Sequence, residues 1–98
     1  MKRTSFTGFN WDAGNVEKCQ IHGVTIAEIE YVFTHSPAVA PDISHSQKEG
    51  RFQAIGKTRE DRRVFVVFTF RKGEIRPISA RYMHQKEVDF YEKKDSDV

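Results

Sequence analysis

The stretch RVFVVFTFRKGEIRPISAR, residues 63–81, predicts two β-strands joined by a short turn, and it decides the fold. Side chains alternate between the two faces of a strand, so the even positions of the first strand form a wholly apolar face: Val64, Val66, Phe68 and Phe70. This face should pack against helices. Both strands end on an arginine, Arg71 and Arg81, where a β-branched residue would suit a sheet better.

The length of the turn decides whether these two arginines share a face. A two-residue turn places Arg71 and Arg81 on opposite faces of a regular hairpin. A three-residue turn that ends at Gly73 places odd positions beside odd positions, and we expect this turn because it needs a positive φ at its last residue. Arg71, Ser79 and Arg81 then share one face, and Arg76 falls on the core face near the strand end.

Local signals predict two helices before the strands. Asp12 is a suitable N-cap for a helix within residues 13–23. Thr25 and Glu28 have the spacing of a capping box, which predicts a second helix that continues to about Phe33.

The remaining segments complete the predicted fold. Residues 34–50 predict a loop with at most a short edge strand, and residues 51–58 predict another strand. Residues 82–94 predict a final helix with four side chains against the sheet: Met83, Val88, Phe90 and Tyr91. Because the strand connections are short, we expect an α+β fold in which an antiparallel meander of three to four strands packs against two N-terminal helices and one C-terminal helix.

Length and composition set limits on the class of protein. The chain has 98 residues, which predicts a single domain over residues 1–98 with flexible ends at residues 1–8 and 93–98. No apolar run reaches the roughly 20 residues of a membrane span, and the single cysteine fits a cytoplasmic protein. The four histidines show no metal-binding spacing, so we expect no metal and no cofactor.

Charge is unevenly distributed along the chain. Residues 51–81 contain nine Lys or Arg against three acids, whereas the whole chain has a net charge of +2. A basic sheet indicates a polyanionic partner such as nucleic acid, although a solvated sheet face is the alternative.

The two strand-end arginines can be interpreted in two ways. Two parallel N–H groups of a guanidinium match a phosphate, and such groups stabilise the extra charge of a phosphoryl transition state. Alternatively, Arg71 and Arg81 form surface ion pairs with Glu74, Glu87 or Asp89.

Two further residues, His22 and Trp11, carry both a functional and a structural interpretation. His22 ends the first predicted helix, where an imidazole either moves protons near neutral pH or simply caps the helix. Trp11 either stacks on a base or fills the core. Lys57 fits an ordinary turn.

Five motifs occur in an order that resembles BrnT-type toxins of bacterial toxin–antitoxin systems, over about residues 9–92: WDAGNVEKCQIHGVT, RFQAIGKT, VFVVFTFR, ISAR and EVDFYE. The resemblance implies a RelE-like fold and a metal-independent endoribonuclease that cleaves RNA and arrests growth. It also implies a BrnA-like ribbon–helix–helix antitoxin as partner. The toxin would then contact operator DNA only indirectly, through this antitoxin.

Matched by motif, the catalytic residues implied by the resemblance are His22, Arg71 and Arg81, and Trp11 matches the family tryptophan. The family commonly has Lys or Arg before the histidine, where this chain has Ile21. We expect Lys18 or Lys57 to supply the missing RNA contact, together with Ser79 between the arginines. The rival hypotheses are a module that binds RNA or antitoxin without cleavage, and a metal-dependent hydrolase that uses the histidines.

Overall fold

The structure, a computed structural model, describes residues 7–42 and 50–96. Most of the predicted flexible ends and much of the predicted loop fall at residues 1–6, 43–49 and 97–98, outside the described residues.

Three helices and four strands follow one another along the chain: α1 Ala13–Gln20, α2 Ile26–Thr34, β1 Ala38–Pro41, β2 Phe52–Lys57, β3 Arg63–Arg71, β4 Glu74–Tyr82 and α3 Gln85–Ser96. The strands form one antiparallel sheet in the order β1-β2-β3-β4. The α+β class and the meander are confirmed, and the short edge strand predicted within residues 34–50 is β1. None of the helices in the described part of the chain is long and apolar enough to cross a membrane.

Both predicted helix starts are confirmed, because each depends on neighbouring residues alone. The Asp12 side chain accepts hydrogen bonds from the backbone of Gly14 and Asn15, and the Asn15 side chain accepts one from the Asp12 backbone. Thr25 and Glu28 bond each other reciprocally at 2.9 and 3.1 Å. Caps of this kind stabilise a helix by about 1 kcal/mol each.

The β3–β4 turn differs from the prediction. Lys72 and Gly73, with φ of 55° and 80°, form a two-residue turn in which Arg71 pairs with Glu74. Positive φ at both central residues is typical of the tight turns that match strand twist. The predicted three-residue turn is therefore wrong.

A β-bulge nevertheless returns the two arginines to one face. Val67 pairs with Ser79 and Phe68 with Pro77, so Ile78 is an extra residue without a partner on β3. Paired residues share a face, so Arg71 and Arg81 both lie on the face opposite the apolar core, which we call the outer face. The predicted shared face is confirmed, although the bulge produces it rather than the turn.

Arg76 was predicted on the core face, and that prediction is wrong. Arg76 pairs with Thr69, whose side chain lies on the outer face. The bulge comes after Arg76 in β4, so the register set by the two-residue turn still applies at Arg76.

The core lies between the sheet and the first two helices. Its buried side chains come from α1, α2, the loop between them and the inner face of the sheet: Cys19, Val24, Ile29, Val32, Phe33, Ala54, Val64, Val66, Phe68, Ile75 and Ala80. The chain before α1 also joins the sheet, since the Thr7 N–H donates to the Gly73 carbonyl at 3.1 Å and Phe9 pairs with Ile75. Ordered pairing therefore begins two residues before the predicted start.

The packing of α3 also differs from the prediction. Phe90 is 69% exposed, and none of the α3 side chains that the structure describes belongs to the core. Instead, two carboxylates of α3 pair with arginines of the outer face, Glu87 with Arg81 and Glu92 with Arg63. These two ion pairs join α3 to the outer face.

Candidate functional site

A cation-lined cavity of about 280 Å³ opens between α1 and the outer face, near the β3–β4 turn. Four basic side chains line it: Lys18, Arg51, Arg71 and Arg76. Among the described residues that line this space there is no carboxylate. We call it the Arg71 cavity. A concentration of positive charge in a concave site favours anions.

Buried polar contacts fix the walls of this cavity. The Asn15 amide nitrogen donates to the carbonyls of Asn10 and Pro77, both at 2.9 Å. The hydroxyl of Thr69, which lines the cavity, donates to the Gly50 carbonyl at 2.6 Å. The first contact ties α1 to β4, and the second holds the residue before Arg51 against β3. The basic side chains therefore project from backbone held in place.

Arg76 is held by two residues that precede α1, Asn10 and Asp12. Its Nη1 atom donates to Asn10 Oδ1 at 2.7 Å and lies 3.0 Å from Asp12 Oδ2. The hydrogen bond from Arg76, followed by that from the Asn15 backbone, lowers the pKa of Asp12 below its usual value. Arg76 therefore positions the start of α1 beside the cavity.

His22 lies on the turn that continues α1 and is not among the residues that line the cavity. Gly14 and Lys18 line the cavity, and His22 follows at the same spacing of four residues, which places the three on one side of the helix. Ile21 keeps helical φ and ψ, so His22 lies about 6 Å beyond Lys18 along the axis. Its ring is exposed and forms no hydrogen bond to another described residue.

The far end of α1 is also anchored to β4. The Tyr82 hydroxyl donates to the Gly23 carbonyl at 3.4 Å and to Glu28 Oε1 at 2.7 Å. The bond to Glu28 raises the pKa of Tyr82. With Asn15 fixed at the other end, α1 runs along β4 from Pro77 to Tyr82, and His22 lies at the Tyr82 end of the helix.

Arg81 does not join Arg71 in one hollow. It pairs with Phe65, six residues along β3 from Arg71, which corresponds to about 20 Å at roughly 3.3 Å per residue. Its Nη1 and Nη2 atoms donate to Glu87 at 2.8 and 2.9 Å, and its guanidinium lies 4.9 Å from the centre of the Phe65 ring. Arg81 therefore forms the ion pair with Glu87 that was the alternative to a phosphate contact.

The remaining predicted contacts are distributed over the molecule. Trp11 is half-buried against the core, and its indole N–H donates to Glu30 at 2.9 Å, which favours the core interpretation. Lys57 lies 3.5 Å from Asp61 at the end of the sheet remote from Arg71. Ser79 is half-buried opposite Val67, between the two ends.

Sequence reasoning missed Arg51 and misplaced Arg76. The alternation of side chains in β2 could have identified Arg51. Gln53 and Ile55 lie on the outer face, and Arg51, two residues before Gln53, continues that alternation. To place Arg51 near Arg71, one must also know the register of β2 and β3, in which Phe52 pairs with Phe68.

Neither metal ligation nor thiol chemistry stands out in this region. Within residues 7–42 and 50–96, no group of three or more His, Cys, Asp or Glu side chains could hold a metal ion. Cys19 is fully buried, and desolvation raises the pKa of its thiol to about 11, so it remains a neutral core residue at physiological pH.

The small α+β fold and its cation-lined cavity define a protein suited to a polyanionic ligand. The chain belongs to the family described as the ribonuclease toxin, BrnT, of type II toxin–antitoxin systems, which matches residues 11–87. Membership makes the chain a ribonuclease with RNA as substrate and an antitoxin as partner. No curated protein matches the chain.

Proposed function

We propose that the chain is a metal-independent endoribonuclease that binds the scissile phosphate in the Arg71 cavity and uses His22 for proton transfer. The observation that carries this proposal is the cavity itself, with Lys18, Arg51 and Arg71 on its walls and His22 about one helical turn beyond Lys18.

The cavity is suited to a phosphodiester because its cations approach from three elements. Lys18 comes from α1, Arg71 from the end of β3, and Arg51 from the residue before β2. Guanidinium groups stay charged at any physiological pH and offer two parallel donors to non-bridging oxygens. Their charge opposes the extra negative charge that phosphorus gains in the transition state.

The proposed reaction uses the RNA's own 2′-hydroxyl as nucleophile. The 2′-oxygen forms a bond to phosphorus and gives up its proton, while the bond from phosphorus to the 5′-oxygen breaks and that oxygen gains a proton. The products are a 2′,3′-cyclic phosphate and a free 5′-hydroxyl. His22 transfers a proton at the attacking or the leaving oxygen, the role of an imidazole in general acid–base catalysis.

The positive charge that the chain itself supplies supports the proposed metal independence. The cavity offers cationic side chains where a metal enzyme would place carboxylates around a divalent ion. We place Arg81 outside the reacting centre and propose that it contacts a phosphate farther along the strand when Glu87 releases it.

The experiment that tests this function uses a single-stranded RNA in which the cleavage site has been mapped. We expect cleavage to continue in excess chelator, and to stop at that linkage when its 2′-hydroxyl is replaced by hydrogen. Cleavage abolished by chelator would support the metal-dependent hydrolase instead. A folded protein that binds this RNA and leaves it intact under both conditions would support the binding-only module.

For the partner, we propose a BrnA-like ribbon–helix–helix antitoxin acting in the cytoplasm. Family membership supports an antitoxin, and the basic outer face supports an acidic contact segment. Expression of the chain with and without the neighbouring short reading frame should show growth arrest that the neighbour relieves. Operator DNA should be retarded in a gel by the complex and not by the toxin alone; retardation by the toxin alone would contradict the indirect contact.

A further inference from the structure

A second, larger cavity of about 470 Å³ lies at the opposite end of the sheet from Arg71, beside the β2–β3 turn. Its walls come from the end of α2, the start of β1 and the residues on either side of that turn. We call it the His35 cavity. None of the residues proposed above for catalysis lines it.

Two stacked rings form one wall of the His35 cavity. Tyr31 and His35 lie one helical turn apart, with ring centres at 3.7 Å and an angle of 12° between the planes. His35 Nδ1 lies 2.8 Å from the Tyr31 carbonyl oxygen and 3.0 Å from the Thr34 hydroxyl oxygen. The exposed His35 ring is thus held in one orientation, which lowers the entropic cost of stacking another ring on it.

Cations lie close to this aromatic wall. The Arg59 guanidinium is 5.1 Å from the centre of the Tyr31 ring, and Lys57 and Arg63 line the same cavity. Asp61 is the one carboxylate among the described residues of the lining, and it lies 3.5 Å from Lys57. Positive charge beside a flat aromatic surface is the pair of features that a nucleotide requires, since its base stacks and its phosphate is anionic.

The distance between the two cavities fits one strand of RNA that contacts both. Lys57 and Arg63 pair across β2 and β3 on the outer face, the face that also carries Arg71. Arg63 and Arg71 are the two ends of β3, which are separated by about 26 Å at roughly 3.3 Å per residue. RNA that extends from the Arg71 cavity to the opposite end of β3 would reach this second cavity several nucleotides away, at the end of the sheet where Glu92 of α3 also pairs with Arg63.

We propose that the His35 cavity binds an unpaired nucleotide of the RNA at a distance from the scissile phosphate. The base stacks on His35, and Arg59 and Lys57 contact its phosphates. This inference rests on the proposed function for the identity of the ligand. The role of the His35 cavity is separate, however, because it increases the affinity for RNA and takes no part in the cleavage reaction.

The test measures binding of a 2′-O-methyl single-stranded RNA, which cannot be cleaved by the proposed chemistry, by fluorescence anisotropy. We expect His35→Ala to weaken binding by about fivefold or more, the effect of losing one base stack, and Arg59→Ala to weaken it by about a few fold through loss of a phosphate contact. His35→Phe keeps a stacking surface and should retain most of the affinity. His84→Ala and Lys86→Ala, at exposed positions outside both cavities, are the matched controls.

Cleavage kinetics then separate this proposal from the proposed function. On a long RNA, the two substitutions should raise KM and leave kcat unchanged, whereas a dinucleotide substrate should be cleaved as by the wild type. If RNA is cleaved but both variants bind and cleave long RNA like the controls, the distal site is wrong and the active site stands. If no RNA is cleaved while the variants still lose affinity, the distal site stands and the catalytic proposal fails. Normal RNA binding with lost antitoxin binding would make the cavity a protein contact and overturn the proposal.

Discussion

Arg81 and Glu87 form a two-point ion pair, with Nη1 2.8 Å from Oε1 and Nη2 2.9 Å from Oε2. Glu87 Oε1 also accepts the backbone N–H of His84 at 2.8 Å, so one carboxylate both caps α3 and neutralises Arg81. The hydrogen bond from Arg81, followed by that from His84, lowers the pKa of Glu87 to about 2. The same bond raises the pKa of Arg81. This pair fixes the start of α3 over one end of the outer face.

Glu87→Gln should strengthen RNA binding, because it removes the carboxylate that competes with phosphate for Arg81. We expect an increase of a few fold, since an exposed ion pair contributes about 1 kcal/mol or less. The measurement is anisotropy with the 2′-O-methyl RNA. Asp89→Asn makes the same charge change on α3 at a residue that bonds only Gln85 among the described residues, and is the matched control. Equal effects of the two substitutions would show that overall charge, and not Arg81, is responsible.

The Arg81–Glu87 pair should respond to acid and not to pH near neutrality. The folded pKa of Glu87, about 2, lies below its ordinary value of 4.5, so the pair stabilises the fold at pH above that ordinary value. The stabilisation is lost as pH falls from about 4.5 towards about 2. The difference in free energy of unfolding between wild type and Glu87→Gln should be flat at higher pH and shrink across this window. A difference that changes around neutral pH would contradict the assignment.

Asn15→Ala should destabilise the protein and also impair cleavage. The substitution leaves the Asn10 and Pro77 carbonyls without the buried donor that joins them, a loss of about 1–3 kcal/mol for unsatisfied buried groups. Since Asn15 ties α1 to β4, Lys18 and His22 should also lose their position. Thermal unfolding and cleavage rate are the measurements. Gln20→Ala, on the same helix with a side chain bonded only to the Val16 carbonyl among the described residues, should leave both unchanged.

His22→Ala should slow cleavage by about 10²–10⁴-fold, the range for loss of general acid–base catalysis. Binding of the 2′-O-methyl RNA should change little, because His22 is not proposed to hold the phosphate. His84→Ala removes an exposed histidine remote from the Arg71 cavity and should cleave normally. Similar rates for the two variants would exclude His22 from the reaction.

Features that depend on adjacent residues could be predicted from the sequence, and features that depend on distant contacts could not. Asp12 and Thr25 identify their helix starts because a cap is made within one turn. The bulge at Ile78 follows Pro77, which donates no ladder hydrogen bond and whose carbonyl is bound by Asn15 of α1. Proline in a strand is a signal for a bulge. The hydrogen bond from Asn15 to the Pro77 carbonyl, which favours the bulge, depends on the tertiary structure and could not be predicted from the sequence.

The same distinction applies to the candidate site. The position of Arg71 on the outer face could be predicted from strand alternation. Lys18 could be predicted as a substitute for the family's Lys or Arg, which is replaced by Ile21 in this chain. The separation of Arg71 from Arg81 could not be predicted from their shared face alone, because alternation says nothing about position along the sheet. The ion pair with Glu87 depends on where α3 returns to the sheet, which its charged sequence does not determine.

The most direct test of the account is the single-turnover cleavage rate of Arg71→Ala with saturating RNA and excess chelator. We predict a loss of about 10²–10³-fold, as for removal of one donor that stabilises a transition state. Lys86→Ala removes the same charge from an exposed position on α3 and should retain the wild-type rate. A folded Arg71→Ala variant that cleaves as fast as Lys86→Ala would contradict the claim that the scissile phosphate lies in the Arg71 cavity.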